Sequence, residues 1–194
     1  MKTQIKTQTP TPRRNTKRTA MALALAIGAA FSAQAHVVLQ EPLAAGNAAY
    51  RAVLQVGHGC EGADTTAITV DIPPGFNAAQ PLVKPGWKVT TVVGKLAEPY
   101  TMHGHTVSEG VQQITWSAKG TENALPNALA DEFVFRVNTA AKPGVYWFKV
   151  LQKCVKGSNP WVEIPSAGQA AHSLQFPAAR LEILDVQPAE EHHH

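Results

Sequence analysis

The sequence has little cysteine, little methionine and no long apolar run. Two cysteines and three methionines occur among its 194 residues. Met1 and Met21 lie in the first 35 residues, so the rest of the chain keeps only Met102, which excludes a thioether-rich metal site. The apolar run from Met21 to Phe31 has about 11 residues, whereas a helix needs roughly 20 to cross a bilayer.

Acidic residues are absent from the first 35 residues, where six basic residues precede the apolar run. A basic segment, a short apolar segment and the triplet Ala33-Gln34-Ala35 are together typical of an export signal. We therefore predict a secretory signal peptide at residues 1–35, cleaved after Ala35, and a periplasmic or extracellular protein. The alternative is an uncleaved membrane anchor, for which the apolar run is short.

Removal of residues 1–35 reverses the sign of the net charge. The full chain has 17 Lys and Arg against 14 Asp and Glu, and loss of six basic residues leaves 11 against 14, or −3. No basic surface is then expected. The charge therefore argues against nucleic acid or anionic lipid as a partner, and it makes no prediction about the oligomeric state.

Apolar periodicity favours strands over helices. No stretch keeps a 3.6-residue apolar period for three turns, whereas short runs of β-branched and aromatic residues alternate with turn signals. We predict an all-β fold, an antiparallel β-sandwich with immunoglobulin- or cupredoxin-like architecture, in which residues 36–187 form a single domain. Residues 188–194 are predicted to be a disordered tail whose His192–His194 triplet is either native or the remnant of an expression tag. The predicted strands are Val37–Leu39, Tyr50–Val56, Ala67–Ile72, Trp87–Val93, Val111–Trp116, Glu132–Val137, Val145–Leu151 and Leu181–Val186. The predicted breaks between strands are Pro73–Gly75, Lys84–Gly86, Lys142–Gly144 and Gly157–Pro160.

The two cysteines, Cys60 and Cys154, each lie just past the end of a predicted strand. Because an exported protein meets oxidising conditions, we predict a disulfide between them. It would close a loop of about 94 residues and stabilise the fold by up to about 4–5 kcal/mol in the chain-entropy model. The alternative is a metal site that uses both thiolates and His58.

Cleavage after Ala35 would make His36 the first residue of the mature chain. A processed N-terminal histidine offers an α-amine and an imidazole from one residue, and the amine has an unperturbed pKa near 7.7–8.0. A metal can displace its proton at neutral pH, and the two nitrogens then close a chelate ring. Two nitrogens in one plane favour Cu(II), whose remaining positions would need a carboxylate, another histidine or water.

Further ligands would have to come from distant parts of the chain. In the run from Asp131 to Val137, alternation puts Phe133, Phe135 and Val137 on the core face, so Glu132 points away from the core. The pattern alone favours a solvated strand glutamate over a ligand.

Two more histidines, His103 and His105, form an H-x-H segment. Such a pair can bind a metal from one extended stretch, but it is more often part of a polar loop. We keep both as weaker candidate ligands, beside His58.

Several blocks of the chain, in this order, resemble the YcnI-like copper-binding domain of exported bacterial proteins. Each block is weak by itself, but together they cover nearly all of residues 36–187. The blocks are His36–Leu39 with Glu41-Pro42, Thr65–Ile68 with Asp71–Pro73, Lys84–Trp87, Ile114–Trp116, Asp131–Phe133 and Trp161–Glu163.

The resemblance implies a β-sandwich that binds Cu(II) through a brace made by one N-terminal histidine, with a carboxylate ligand and a tryptophan close to the metal. Carried over by position, these are His36, Glu132 and Trp161. The implied carboxylate role outweighs the solvated alternative for Glu132. An indole has no basic lone pair, so Trp161 would shield or orient the metal; the alternative is a core aromatic. The cysteine pair, with His58 and His103, leaves open a second imidazole on the copper.

The resemblance therefore implies a periplasmic Cu(II)-binding protein, not an enzyme, that buffers, acquires or delivers copper, with a copper transporter or metallochaperone as its partner. One alternative is an oxidoreductase resembling lytic polysaccharide monooxygenases, which complete their brace with a second histidine. Another is a metal-free β-sandwich that binds a protein partner. A CopC-like carrier, which would recruit histidine rather than Glu132, is a further alternative.

Overall fold

The computed structural model describes residues 36–185. The predicted export signal at 1–35 and tail at 188–194 lie outside the described residues. Within the described range the chain forms twelve β-strands and two short 3₁₀ helices, Thr121–Asn123 and Ala171–Ser173. The strands are β1 (Val38–Leu39), β2 (Leu43–Ala45), β3 (Ala49–Val56), β4 (Thr65–Asp71), β5 (Asn77–Pro81), β6 (Trp87–Met102), β7 (His105–Ala118), β8 (Asp131–Asn138), β9 (Gly144–Phe148), β10 (Val150–Cys154), β11 (Ser158–Trp161) and β12 (Ala179–Leu184).

The strands form three sheets, with the orders β1-β3-β8-β5, β11-β10-β4-β7-β6 and β2-β12-β9. All pairings are antiparallel except β2 with β12. The predicted all-β sandwich is therefore confirmed, with one parallel pair that the sequence did not indicate. Two edge strands, β1 and β11, matter most for function, because the candidate site lies beside them.

The core follows from alternation along the strands. Phe133, Phe135 and Val137 on β8 are buried, as predicted, while their neighbours point outward. Trp87 and Trp116 pack edge-on against Phe133, with ring centroids 5.1 and 5.8 Å apart. Burying aromatic rings of this size supplies much of the hydrophobic stabilisation of a domain.

Two sequence predictions about strands are wrong in instructive ways. The predicted strand Val145–Leu151 is interrupted at Lys149, and its halves, β9 and β10, belong to different sheets. The predicted break at Gly157–Pro160 instead overlaps strand β11. Proline is tolerated in β11 because this strand pairs only with β10, so the missing N–H of Pro160 interrupts no second ladder.

The segment that follows β1 is fixed to β3. The backbone N–H of Gln40 donates to the carbonyl of Val53 over 3.0 Å. The hydroxyl of Tyr50 donates to the carbonyl of Glu41, and burial, with the Glu41 carboxylate as a second cause, raises the pKa of Tyr50 to about 12. Tyr50 is thus a neutral donor at physiological pH, and it holds the chain where β1 ends.

Among the residues that the structure describes, no helix is both long and apolar enough to cross a membrane.

Candidate metal centre

His36 lies just before β1, at one edge of the four-stranded sheet, and its ring contacts Trp161 at the end of β11. The ring centroids are 5.9 Å apart and the planes are inclined by 65°, an edge-to-face arrangement. Trp161 is only 2% exposed. The structure therefore brings together the two residues that the resemblance implies near the metal, although the ligand role of His36 stays a prediction.

His58 contacts the same indole. Its ring centroid is 6.4 Å from that of Trp161, with the planes inclined by 68°. It belongs to the Gly57–Cys60 loop, which begins where β3 ends at Val56. A third ring, Phe176, packs edge-on against Trp161 at 5.3 Å. We call His36, His58 and Trp161 the histidine–indole cluster.

A fully buried glutamine, Gln152 on β10, connects the cluster. Its Oε1 accepts hydrogen bonds from the indole Nε1 of Trp161 at 3.0 Å and from Asn159 Nδ2 at 3.3 Å. Its Nε2 donates to the carbonyl of His58 at 2.7 Å and to Thr65 Oγ1 at 2.8 Å. One buried amide thereby fixes both the indole and the backbone that carries His58. Sequence reasoning missed Gln152; the available signal was a polar residue at an inward position of an apolar strand.

The predicted disulfide between Cys60 and Cys154 is confirmed. The sulfurs are 2.01 Å apart and the Cα atoms 5.9 Å apart. Cys60 is two residues after His58, and Cys154 is two residues after Gln152, so the bridge closes the base of the His58 loop. Because both sulfurs are bonded to each other, the alternative of a thiolate metal site is wrong for this form of the protein.

Glu132 lies on the outer face of the four-stranded sheet. Val38, Gln55 and Glu132 are register partners across β1, β3 and β8, and all three side chains are exposed. The carboxylate is thus two strand spacings, roughly 10 Å, from β1. The role of Glu132 as a ligand stays a prediction.

Beside Glu132, the ammonium of Lys84 forms an ion pair with Asp131 at 2.6 Å and donates to the backbone carbonyl of Glu132 at 3.0 Å. The backbone N–H of Glu132 donates to Asp131 Oδ1 at 2.8 Å. The backbone of this residue is therefore fixed by its neighbours.

His103 and His105 lie at the tip of the long β6–β7 hairpin, where both side chains are exposed. His103 and Gly104 have φ values of 50° and 80°, as in a two-residue hairpin turn of type I′. β6 is the edge of the five-stranded sheet opposite to β11. The pair is therefore on the strand edge opposite to the histidine–indole cluster. It forms the exposed polar turn that the sequence offered as the alternative to a metal site.

Within residues 36–185, no three or more His, Cys, Asp or Glu side chains are grouped so that they could hold a metal ion. The donors in the cluster are imidazole nitrogens, and the carboxylate that the resemblance implies, that of Glu132, lies on β8, two strands away from β1. Nitrogen and oxygen donors, with the sulfurs locked in a disulfide, form a donor set that suits Cu(II). The chemistry of these residues therefore fits the metal that the resemblance implies.

The burial of Gln152 leads to a prediction about stability. Gln152→Leu is expected to lower the free energy of unfolding by roughly 3–5 kcal/mol, because it leaves several buried polar groups without their partner. Urea unfolding followed by tryptophan fluorescence measures this. The matched control is Gln113→Leu, which removes a 2.8 Å bond to Asp71 at the surface and is expected to cost less than about 1 kcal/mol. Equal effects of the two substitutions would contradict the role of Gln152.

Comparison with known structures supports the fold class. A crystal structure of an uncharacterized protein from Nocardia farcinica, described as having an immunoglobulin-like fold, superposes with a TM-score of 0.59. It is 22% identical and covers 76% of this chain and 97% of that chain. At this identity the likeness shows the fold alone: an immunoglobulin-like β-sandwich.

Sequence comparison shows the family. The chain belongs to the family described as a domain of unknown function, DUF1775, whose model matches residues 36–183. This is the domain of the YcnI-like proteins that the sequence blocks resemble, so the family part of that resemblance is confirmed. Among curated proteins, none matches the chain.

Proposed function

We propose that this protein binds Cu(II) in the periplasm or outside the cell and that His36 supplies the first two ligands as an N-terminal brace. The observation that carries the proposal is the contact of His36 with the buried indole of Trp161 at the rim between two sheet edges. The indole limits access of water to one side of the imidazole.

The brace forms only after cleavage. While residues 1–35 are attached, the nitrogen of His36 is a peptide amide and is a poor ligand. Removal of these residues yields a primary amine beside the imidazole, and both must lose their protons to bind the metal. Copper binding would therefore begin with export, in the compartment where the Cys60–Cys154 disulfide also forms.

We propose Glu132 as the carboxylate ligand. His36 precedes Val38 by two residues, so alternation along β1 directs both toward the outer face, on which Glu132 also lies. The regular strand begins only at Val38. The assignment therefore rests on this shared face and on the match of the Asp131–Phe133 block to the family.

The experiment is a Cu(II) titration of a chain that begins at His36 and lacks residues 186–194, followed by electron paramagnetic resonance. We expect one tight equivalent with a tetragonal, nitrogen-rich spectrum. Glu132→Gln is expected to weaken binding by about 10- to 100-fold, since an amide oxygen replaces a charged one.

The matched control for Glu132→Gln is Glu109→Gln, which alters another exposed strand glutamate, on the β6–β7 hairpin. This control is expected to leave the affinity unchanged. A site without Glu132, such as the histidine-only site of a CopC-like carrier, would give the same affinity for both variants.

We further propose that the protein carries copper without turnover, for buffering, acquisition or delivery to a copper transporter or metallochaperone. The tryptophan that contacts His36 is buried, so it offers no exposed aromatic plane to a polysaccharide substrate. Oxidation of a polysaccharide or a chromogenic phenol by the copper-loaded chain, with ascorbate and oxygen, would contradict this part of the proposal.

A further inference from the structure

We propose that His58 is a second imidazole ligand of the copper, through its Nε2 atom. This inference deepens the proposed function and rests on it. It starts from the shared indole: the rings of His36 and His58 both meet Trp161 edge-on, at 5.9 and 6.4 Å. Residues that are 22 positions apart in sequence are thus gathered at one buried aromatic side chain, at the rim where a metal can enter.

The hydrogen bonding of His58 selects the tautomer that a ligand needs. Its Nδ1 lies 2.5 Å from the carbonyl oxygen of Gly59. A carbonyl oxygen only accepts, so Nδ1 carries the hydrogen and donates it. In the neutral ring the lone pair is then on Nε2. A histidine that binds a metal typically donates its other ring N–H to a carbonyl or carboxylate, and this bond orients the ring and raises its basicity.

The loop that carries His58 is rigid enough to hold a ligand in place. Gln152 Nε2 fixes the carbonyl of His58, and the disulfide at Cys60 closes the loop. A Cβ atom on Gly59 would overlap the carbonyl of Ala63, so the loop also packs closely against the following turn. A ligand supported by buried hydrogen bonds and a covalent bridge loses little conformational entropy when the metal binds.

None of these supports requires an imidazole at position 58. Gln152 contacts only the backbone of His58, and the disulfide is formed by a different residue. The loop therefore does not depend on the side chain at position 58. A role of the imidazole as a metal ligand accounts for its fixed tautomer and for its contact with Trp161. It follows that substitution of the side chain should preserve the loop while removing the donor, which makes the inference testable.

The test uses pulsed electron paramagnetic resonance, which counts the imidazoles on Cu(II) through their remote nitrogens. The chain begins at His36 and lacks residues 186–194, so that His192–His194 cannot contribute. We expect two imidazoles for the unmodified chain and one for His58→Gln, with affinity lowered at least about tenfold in a chelator competition. His172→Gln, at an exposed histidine of the second 3₁₀ helix, is the control and is expected to keep both imidazoles.

The outcomes separate this inference from the proposed function. Tight binding with one imidazole in the unmodified chain, unchanged by His58→Gln, overturns the role of His58 and leaves the brace intact. Two imidazoles that persist in His58→Gln also overturn it, because another histidine then supplies the second. Failure of the unmodified chain to bind Cu(II) tightly overturns the proposed function itself. A count of one imidazole in the unmodified chain overturns the role of His58 whatever the stability of the variant. If the count is two, His58→Asn provides a second variant that tests whether His58 supplies one of them.

Discussion

A chain with one extra residue before His36 is expected to bind Cu(II) on the order of 10² to 10⁴ times more weakly than the chain that begins at His36. The extra residue moves the primary amine away from the imidazole and replaces it with a peptide nitrogen. In the chain that begins at His36, the amine and the imidazole belong to one residue, so once one nitrogen binds, the other is present at a high effective concentration. Linking two binding groups in this way typically raises the affinity by about 10² to 10⁴. Everything else in the histidine–indole cluster stays the same.

The measurement is a competition titration with a chelator of known affinity, at equal pH for both chains. Retention of the Trp161 environment in both apo chains, seen in the near-ultraviolet circular dichroism, shows that the extension does not disturb the fold. A chain extended at its other end by one residue serves as the control. Equal copper affinity with and without the N-terminal residue would refute the brace and leave the position of His36 an accident of the cleavage site.

The fold was largely predictable because most of its strands show a local alternation of apolar and polar residues. In β8 the alternation of Phe133, Phe135 and Val137 identifies the buried face, and the structure follows it. The strands that were missed carry no such pattern. β5 (Asn77–Pro81) lies at an edge and has no β-branched or aromatic residue, and β2 (Leu43–Ala45) is three residues long, so each is stabilised by its partner strand and not by local preference.

The site was less predictable, since it depends on contacts between distant segments. Only the resemblance to a family pointed to Trp161, because an apolar aromatic in sequence looks the same whether it packs in the core or beside a metal. His58 was a weak candidate by its spacing from Cys60. Its contact with Trp161 and the bond from Gln152 arise from the pairing of β10 with β11 and β4, which no local pattern specifies.

Loss of the disulfide is expected to have the second largest effect. The Cys60–Cys154 bridge spans 94 residues of sequence, and a loop of this size is worth about 4–5 kcal/mol in the chain-entropy model. Replacing both cysteines with alanine is therefore expected to lower the midpoint of thermal unfolding by roughly 8–20 °C in a domain of this size. Because the same bridge closes the loop that carries His58, the double variant is also expected to bind Cu(II) more weakly than the native chain.

Two comparisons make this prediction specific. A reductant such as tris(2-carboxyethyl)phosphine, tested by calorimetry without copper, is expected to lower the midpoint of the native chain to that of the double variant and to leave the double variant unchanged. In copper titrations without reductant, the double variant should lose affinity while His58→Gln in the double-variant background loses little more, since both changes act through one ligand. If the losses of copper affinity from the two changes were additive, the disulfide would support the site by another route, for instance through Gln152 and Trp161. In the calorimetry, an unchanged midpoint of thermal unfolding would contradict the stabilising role of the bridge.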